Sequence, residues 1–582
     1  MKIRVARTVG FCMGVKRALF RTLSLARKRT GKLYTWGPLI HNPQIIEVLS
    51  ERGVEVLKEL PPRIDGTVII RAHGVAPAVR AELKRRATRV CDATCPDVMK
   101  VQSIVKKHAR RGFSIVIVGD RGHAEVEGLM GFAGDRCSVI NSTDEARRLP
   151  GMEKVCVVAQ TTQDTRLYGE ICSELKRNSP DCRVFQTICR STRDKQEELR
   201  ELAKSVDAVI VVGGKGSANT RRLADIARSC GARTFHVESE SGIDGDEICS
   251  FDRIGIASGS STPNWMIFRV VDRLEEVGRK KTSPVVRWVR EAFRFAVTSN
   301  IYVAAGAGFL ACAASLIMGI QPTALCVTGS ALYVLGIHIL NHFTEREALQ
   351  FSEPAMMKFY ERKRFLLVPM GAVGVCAVLA IGAFRGLLPF VFLGVACLLG
   401  IAYSITVIPV WRDGRISLGR IRDIPASKDL FVPAAWTAVI ILLARGRGVA
   451  SFNASVLVAA AFVFGLVFIR CLLFSMRDVQ GDMIVGRETI PTLLGRERGR
   501  NIAVAAVFVL AAVLLGAMPY IGLLALFLLL PLAYILCCIY AYYSGERRIP
   551  HGVLFEVVLD TSFVIAGASA LSWKAVFTGA AM

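Results

Sequence analysis

The chain has 582 residues, which exceeds the size at which one hydrophobic core keeps growing, so more than one domain is expected. Its formal net charge is +25 and 52% of its residues are hydrophobic, a combination typical of a membrane protein whose basic loops face anionic lipid. No nucleic-acid-binding motif accompanies the positive charge, so nucleic acid is excluded as a partner. The basic amino terminus has no apolar core before Gly10, which argues against a cleaved signal peptide.

The two halves of the chain differ in their hydrophobic pattern. In the first half, charged helical patterns alternate with short apolar runs, whereas in the second half apolar stretches long enough to cross a bilayer recur. We therefore predict a soluble α/β domain at 1–278, a basic linker at 279–296 and an all-α membrane domain at 297–582. The linker is expected to lie along the cytoplasmic membrane surface.

The soluble half contains short runs of β-branched and other apolar residues that end in small or polar turns. These runs lie at 67–70, 114–118, 155–158, 208–212 and 254–257, and helical patterns follow them. Short buried strands that alternate with helices predict parallel sheets, in which functional groups collect at the carboxyl ends of the strands.

Three cysteines stand in short loop-like segments near such strand ends. They are Cys12, Cys95 and Cys189, and their separations of 83 and 94 residues predict one cysteine from each of three similar α/β units. Three thiolates can hold an iron–sulfur cluster and leave one iron open to a ligand. Ordinary buried cysteines are the competing interpretation, and Cys91 is the one rival ligand because it lies four residues before Cys95.

Three histidines also follow apolar runs or stand in glycine-containing turns, at His41, His73 and His123. A lone histidine is usually a structural residue, but three in similar turns favour a shared site. Hydroxyl and amide side chains that suit a diphosphate group occur later in the chain, at Ser217, Asn219 and Ser261.

The segments that carry these residues occur in a fixed order over about residues 1 to 275: GFCMGV, IHN, AHGV, DATCP, GHAEVEG, QTT, TIC, SAN and GSSTP. This set resembles the 4-hydroxy-3-methylbut-2-enyl diphosphate reductase family, the LytB-type enzymes of the non-mevalonate isoprenoid pathway. The resemblance implies a cloverleaf of three α/β units around a [4Fe–4S] cluster held by Cys12, Cys95 and Cys189. It also implies that two electrons and protons remove the substrate hydroxyl as water, giving isopentenyl and dimethylallyl diphosphate.

The same resemblance implies roles for single residues. Glu125 matches the proton donor of the family, and Thr161 matches the residue beside the substrate hydroxyl. Electrons would come from an external carrier such as ferredoxin or flavodoxin. A solvated turn residue is the competing interpretation of Glu125. The residues implied to bind the substrate are His41, His73, His123, Ser217, Ala218, Asn219 and Ser261.

Nine apolar stretches near the bilayer-spanning length follow the linker, at 297–319, 321–341, 365–383, 387–409, 430–444, 453–475, 502–518, 520–542 and 554–572. Basic residues concentrate in every second connecting loop. Because basic loops remain in the cytoplasm, this pattern predicts a multi-pass protein of the inner (cytoplasmic) membrane with its first domain in the cytoplasm.

An acidic pair marks the end of the sixth apolar stretch. Asp478 and Asp482 are four positions apart, so on a helix both carboxylates face one way and suit Mg²⁺ bound to a diphosphate. A charged helix end is the competing interpretation. The segment GDMIVGRETIP and the nine-helix layout resemble UbiA-type intramembrane prenyltransferases, which implies polyprenyl transfer with Mg²⁺. In the first acidic motif of that family, Asn341 and Glu345 are the remaining candidate ligands.

Three hypotheses follow from these patterns. The leading one is a bifunctional enzyme in which the first half makes the five-carbon diphosphates and the membrane half transfers a polyprenyl group. The second keeps the reductase but makes the membrane half an inactive anchor or lipid-binding domain. The third is an iron–sulfur sensor with a membrane anchor, which would not need Glu125, Thr161 and the diphosphate-binding residues.

Overall fold

The computed structural model describes residues 1–27, 31–279, 283–344, 351, 354–405, 408–412, 415–446, 453–543 and 553–578. Their contacts divide the chain into two compact units, Met1–Lys280 and Lys281–Met582. This division falls inside the segment that we predict to be a linker.

The first unit alternates short strands with helices. Its strands are β1 (Lys2–Val5), β2 (Leu33–Trp36), β3 (Val54–Leu57), β4 (Ile64–Ile70), β5 (Ala87–Asp92), β6 (Ser114–Val118), β7 (Cys137–Ile140), β8 (Lys154–Ala159), β9 (Asp181–Val184), β10 (Ala208–Val212), β11 (Arg233–Val237) and β12 (Arg253–Ser258). Its helices are α1 (Met13–Arg27), α2 (Pro43–Glu51), α3 (Pro77–Arg86), α4 (Pro96–Ala109), α5 (Ala124–Ala133), α6 (Thr143–Arg148), α7 (Thr165–Asn178), α8 (Arg190–Ser205), α9 (Ala218–Ser229), α10 (Gly245–Ile248) and α11 (Asn264–Arg279).

The strands of this unit form three four-stranded sheets in which every pairing is parallel. Their orders are β1-β12-β10-β11, β3-β2-β4-β5 and β7-β6-β8-β9. The first strand of the unit pairs with its last, so one sheet contains both ends of the unit. The predicted α/β class and its three similar parts are confirmed.

Burial explains why these segments become strands. All five residues of β10 are buried, as are four of the five in β6. Strands covered by helices on both faces read as continuous runs of valine and isoleucine, which is the pattern that these segments show. The helices that follow the strands begin at their carboxyl ends, where the chain leaves the sheet and polar groups become accessible.

The second unit is almost wholly helical. Its helices are Pro284–Thr298, Ile301–Ile317, Ala324–Thr344, Pro354–Arg362, Arg364–Arg385, Leu387–Ala402, Ser427–Arg445, Ala454–Val485, Ile490–Leu494, Arg496–Gly516, Met518–Ile521, Leu524–Phe527, Leu529–Tyr543 and Val553–Thr578. Large aromatic side chains fill its core, with Phe462, Phe555 and Phe563 fully buried.

Seven helical segments in the described residues are long and apolar enough to cross a membrane. The number rises to eight if Pro284–Thr298 and Ile301–Ile317, which are bent by 63° at their junction, count as one span. Every predicted stretch overlaps helical residues, but 520–542 covers the helices Met518–Ile521, Leu524–Phe527 and Leu529–Tyr543, and Leu387–Ala402 has only 16 residues.

The helical class of the predicted membrane domain is confirmed, but one of its predicted spans is wrong. The stretch 387–409 is not one helix, because its helix ends at Ala402, and Ile408–Arg412 pairs in antiparallel fashion with Arg415–Gly419. The unit is therefore not purely helical. The two strands flank the sequence Asp413-Gly414, which is a common hairpin turn signal between β-branched and aromatic residues.

Candidate functional site

Each of the three predicted ligand cysteines lies at the start of a helix in the first unit. Cys95 and Cys189 are the N-cap residues of α4 and α8, and Cys12 directly precedes α1. The Val15 N–H donates to Cys12 Sγ at 3.5 Å. Helix N-termini present unpaired N–H groups that favour a negatively charged sulfur, so this position suits thiolate ligands.

The three thiols share one neighbourhood. A Cβ atom placed on Gly14 would lie 2.5 Å from Cys95 Sγ and 3.9 Å from Cys12 Sγ, so the absence of a side chain at Gly14 keeps this space open. Cys12 also interacts electrostatically with both Cys95 and Cys189. Burial raises the pKa of Cys95 to about 11 and raises that of Cys189, so at neutral pH these two thiols keep their protons unless a metal replaces them. The donor set fits an iron–sulfur cluster.

The rival cysteine occupies a different kind of position. Cys91 lies within β5, where it pairs with Ile69 of β4, and not at the start of a helix.

The three histidines lie in direct proximity. The ring centroids of His41 and His73 are 4.7 Å apart, and that of His123 lies 5.7 Å from the first and 5.4 Å from the second. Burial lowers the pKa of all three, and neighbouring cationic groups including Arg71 add to the effect; that of His123 falls to about 4. The imidazoles are therefore neutral at pH 7.

Several buried donors around the histidines lack a protein partner. Within the described part of the chain, His41 Nε2, His73 Nδ1 and Arg71 Nε are buried and make no hydrogen bond. Because buried polar atoms are normally satisfied, their presence together indicates a ligand with several acceptor oxygens.

Glu125 is the most strongly buried acidic group of this site, with 1% of the residue exposed. It accepts hydrogen bonds from the Thr161 N–H at 2.7 Å and from the Thr161 hydroxyl at 2.8 Å. Burial raises its pKa to about 7, and the hydrogen bonds from Thr161 only partly oppose this effect. At neutral pH a large share of Glu125 is therefore protonated and able to donate a proton.

The predicted diphosphate residues lie beside His41. Ser217 is the N-cap of α9, which begins with Ala218 and Asn219. The hydroxyl of Ser261 donates to the backbone carbonyl of His41 at 3.2 Å. A helix N-terminus flanked by a hydroxyl and an imidazole can bind an anion.

Backbone hydrogen bonds connect the cysteine loops to the loops that carry these polar residues. The N–H of Cys12 donates to Ser260 O at 3.1 Å, that of Cys95 to Ala72 O at 2.9 Å and that of Cys189 to Thr161 O at 3.0 Å. The backbone of each cysteine is thus hydrogen-bonded either to the predicted substrate-binding residue Thr161 or to the residue directly before one, Ser260 or Ala72. The thiols and the polar residues form one site.

One ion pair in this site was not predicted from the sequence. Arg222 donates to both carboxylate oxygens of Asp120, at 3.0 and 3.1 Å, and to Thr162 O at 2.8 Å. This residue joins α9 to the loops after β6 and β8, which belong to another sheet. Its position three residues after Asn219 of the SAN segment was the available signal.

In the second unit, the predicted acidic pair contacts cationic side chains of the chain itself. Lys428 Nζ lies 3.9 Å from Asp478 Oδ2 and 3.9 Å from Asp482 Oδ2. Arg477 donates to the two oxygens of Asp478 at 2.8 and 3.3 Å. Asn341 lies in the helix Ala324–Thr344.

These contacts do not fit a magnesium site in the part of the chain that the structure describes. Mg²⁺ requires an octahedral set of oxygen ligands at short distance, but a lysine lies between the two carboxylates. Glu345, the remaining predicted ligand, is outside the described residues. Among the described residues, the one group of three His, Cys, Asp or Glu side chains whose ligand atoms all lie within 4.8 Å of one another is that of His41, His73 and His123.

The fold and the site together define an α/β enzyme domain whose polar residues meet where three parallel sheets end. The model of the LytB protein family matches residues 3–275. Over 281 residues the chain is 43% identical to a 4-hydroxy-3-methylbut-2-enyl diphosphate reductase from Geobacter sulfurreducens, covering 48% of this chain and 99% of that protein. The chain belongs to the 4-hydroxy-3-methylbut-2-enyl diphosphate reductase family, and its first unit is an oxidoreductase of this kind.

Two solved structures are each similar to about half of the chain. A structure of (E)-4-hydroxy-3-methyl-but-2-enyl diphosphate reductase is 36% identical, covers 47% of this chain and all of that chain, and has a TM-score of 0.38. A UbiA homolog from Archaeoglobus fulgidus bound to DMAPP and Mg²⁺ is 15% identical, covers 48% of this chain and 98% of that chain, and has a TM-score of 0.36.

Proposed function

We propose that the first unit removes the hydroxyl group of 4-hydroxy-3-methylbut-2-enyl diphosphate at the site described above. Two electrons and two protons convert the substrate to isopentenyl or dimethylallyl diphosphate and water. Cys12, Cys95 and Cys189 would hold a [4Fe–4S] cluster, which would supply the electrons and act as a Lewis acid. An external carrier such as ferredoxin or flavodoxin delivers the electrons.

The chain's own residues bind and orient the substrate in this proposal. Neutral imidazoles of the histidine cluster and the N-terminus of α9 donate hydrogen bonds to the diphosphate, which supplies the acceptors that the unsatisfied nitrogens lack. The residues assigned to substrate binding are His41, His73, His123, Thr161, Ser217, Ala218, Asn219 and Ser261.

The observation that carries this proposal is the pair formed by Glu125 and Thr161. A hydroxyl is a poor leaving group unless it is protonated, and a buried carboxylic acid with a pKa of about 7 retains a proton at neutral pH. The Thr161 hydroxyl, 2.8 Å from Glu125 Oε2, orients that acid and relays its proton to the substrate oxygen.

Substitution of the acid tests the assignment. Glu125→Gln keeps the shape and loses the proton donor, so kcat should fall by about 10²–10⁴-fold while the iron content remains that of the wild type. Glu127→Gln, an exposed carboxylate on the same helix, should leave kcat unchanged. Equal kcat values for the two variants in an anaerobic assay would refute the role of Glu125.

We propose that the second unit anchors the enzyme in the inner (cytoplasmic) membrane, with the reductase in the cytoplasm. The helix Pro284–Thr298 supports this arrangement. It exposes apolar side chains such as Trp288 and Val285, 70% and 73% exposed, and carries Arg287, Arg290 and Arg294 at helical spacing. Apolar and basic residues in this arrangement bind at the surface of an anionic bilayer.

Two functions of the second unit remain as alternatives under this proposal. In one, the unit transfers a polyprenyl group with Mg²⁺ bound by Asp478, Asp482, Asn341 and Glu345. In the other, it holds isoprenoid lipid or serves as an anchor without catalysis. The ion pairs of Asp478 and Asp482 with Lys428 and Arg477 favour the second alternative, because these carboxylates are already neutralised.

A transfer assay separates the two alternatives. The full chain in lipid nanodiscs is incubated with radiolabelled geranylgeranyl diphosphate, Mg²⁺ and a membrane lipid extract as the source of acceptors. We expect no prenylated product from the wild type. Mg²⁺-dependent product that disappears in Asp478→Ala would establish the transferase instead.

A further inference from the structure

A buried lysine lies between two of the cysteine loops. Lys195 belongs to α8, six positions after Cys189, and is 5% exposed. Its ammonium donates to Gly10 O at 3.0 Å and to Ser258 O at 3.2 Å. Burial of a charged group costs several kcal/mol unless hydrogen bonds and opposite charge compensate it, so such a lysine has a structural or electrostatic role.

The hydrogen bonds of Lys195 fix the loop that leads to Cys12. The Gly10 N–H donates to the Ser258 hydroxyl at 2.9 Å, so the lysine closes a small network between this loop and the end of β12. Gly10 has a φ of +90° and lies two residues before Cys12. Because Lys195 and the N-cap Cys189 are on the same helix, this network sets the position of one thiol loop relative to the other.

A second contact of the same helix supports this role. Glu198 lies three positions after Lys195, which places the two side chains on the same side of α8. It accepts hydrogen bonds from the N–H groups of Arg7 and Thr8, at 2.5 and 2.8 Å. One side of α8 therefore holds the chain from Arg7 to Gly10, directly before Cys12.

Charge is the other property of Lys195. Burial lowers its pKa to about 8, while the neighbouring Cys12, Glu198 and Cys189 act in the opposite direction. A pKa above 7 keeps the ammonium charged at neutral pH. Ionised thiolates would favour the charged form further, because opposite charges interact strongly in a buried environment.

We propose that Lys195 is a positioning residue that holds the Cys12 loop and raises the reduction potential of the cluster bound by the three cysteines. This inference rests on the proposed assignment of Cys12, Cys95 and Cys189 as cluster ligands. Net charge and hydrogen bonding near a cluster set its reduction potential. An added electron is accepted more readily beside a fixed positive charge than in its absence.

The test compares three variants of the full chain, reconstituted anaerobically in lipid nanodiscs. Lys195→Gln removes the charge, Lys195→Arg keeps it, and Lys204→Gln is the matched control because Lys204 is exposed on the same helix. The reduction potential is measured by redox titration with electron paramagnetic resonance. Hydrogen–deuterium exchange of the segment around Gly10 reports the position of the loop.

We expect the ratio of reduced to oxidised cluster at a fixed potential to fall about tenfold in Lys195→Gln, which corresponds to about 59 mV for one electron. It should change less than about threefold in Lys195→Arg and in Lys204→Gln. Faster exchange around Gly10 should accompany the loss of charge.

Other results would overturn the inference. A cluster in Lys195→Gln with the wild-type potential contradicts the electrostatic role, and unchanged exchange contradicts the positioning role. If Lys195→Gln binds no cluster, faster exchange around Gly10 supports the positioning role, whereas wild-type exchange refutes it. A wild-type chain that binds no cluster refutes the proposed function itself and this inference with it.

Discussion

Buried charged and polar groups are used differently in the two units. In the first unit, nitrogens of His41, His73 and Arg71 are buried without a partner in the described residues. In the second unit, Asp478 and Asp482 lie near Lys428 and Asp478 also pairs with Arg477, although Asp482 Oδ2 is itself buried without a hydrogen bond in the described residues. The unsatisfied nitrogens leave hydrogen bonds for a ligand to make, whereas cations of the chain itself balance the charges of the two carboxylates. The acidic pair alone is therefore weak evidence for a second active site.

The largest expected effect comes from the cysteines of the first unit. Cys95→Ser should abolish cluster binding and turnover, because a hydroxyl cannot replace a thiolate at this buried position. Cys91→Ser should retain both, since Cys91 lies within β5. Iron and labile sulfide analysis of the two purified variants checks this difference. If Cys91→Ser loses its iron and Cys95→Ser retains it, Cys91 is the cluster ligand and Cys95 is not.

A second pair of substitutions tests the space beside the thiols. Gly14→Ala introduces a Cβ 2.5 Å from Cys95 Sγ, so the iron content should fall at least tenfold. Gly169→Ala, also within a helix, meets no atom within 4 Å and should raise the free energy of unfolding by about 0.5–1 kcal/mol. Thermal unfolding and iron analysis together distinguish the two effects. Full iron content in Gly14→Ala would contradict the conclusion that the absence of a side chain at Gly14 keeps open the space beside Cys95 Sγ and Cys12 Sγ.

The charge compensation in the second unit can be removed at Lys428. Lys428→Gln leaves the buried Asp482 and the partly buried Asp478 without their shared cation, so the free energy of unfolding of this unit should fall by about 1–3 kcal/mol. Lys363→Gln is the control, because Lys363 is exposed in the same unit. Thermal unfolding in detergent measures both variants. If Lys428→Gln stabilises the unit or leaves it unchanged, the aspartates do not depend on this lysine.

The histidine cluster predicts a pH dependence of stability in the first unit. Folding lowers the pKa of His123 from 6.5 to about 4, so between these values the unfolded chain binds more protons than the folded unit. The contribution of His123 to the free energy of unfolding should therefore decrease by about 1–3 kcal/mol as pH falls from about 6.5 to 4, whereas Glu125, whose pKa folding raises to about 7, contributes in the opposite direction. His123→Asn retains a side chain suited to the N-cap and should weaken this dependence. Denaturant unfolding of the apoprotein at several pH values measures how the free energy of unfolding changes with pH. Equal slopes for the wild type and His123→Asn would contradict the prediction.

Much of the first unit was predictable from its sequence. Buried β-branched runs such as that of β10 indicated the parallel sheets, and the segments around Cys12, Cys95 and Cys189 indicated strand ends. The ion pair of Arg222 with Asp120 was not predictable, because it joins residues 102 positions apart that meet only in the folded unit.

The second unit was predictable in outline but not in detail. Hydropathy located the helices, since length and apolar composition suffice for a span. It did not show where the fourth stretch ends, because Ala402 lies within a continuous apolar run. The position of Lys428 between Asp478 and Asp482 also depends on how two helices pack, which their sequences do not specify.

Turnover by the full chain tests the central claim most directly. The reconstituted protein is mixed anaerobically with 4-hydroxy-3-methylbut-2-enyl diphosphate and a reduced viologen, and the products are separated by chromatography. We predict that both isopentenyl and dimethylallyl diphosphate form, at a rate that declines above about pH 7 as Glu125 loses its proton. A protein that holds a complete cluster but forms neither product would contradict the assignment of the first unit's site.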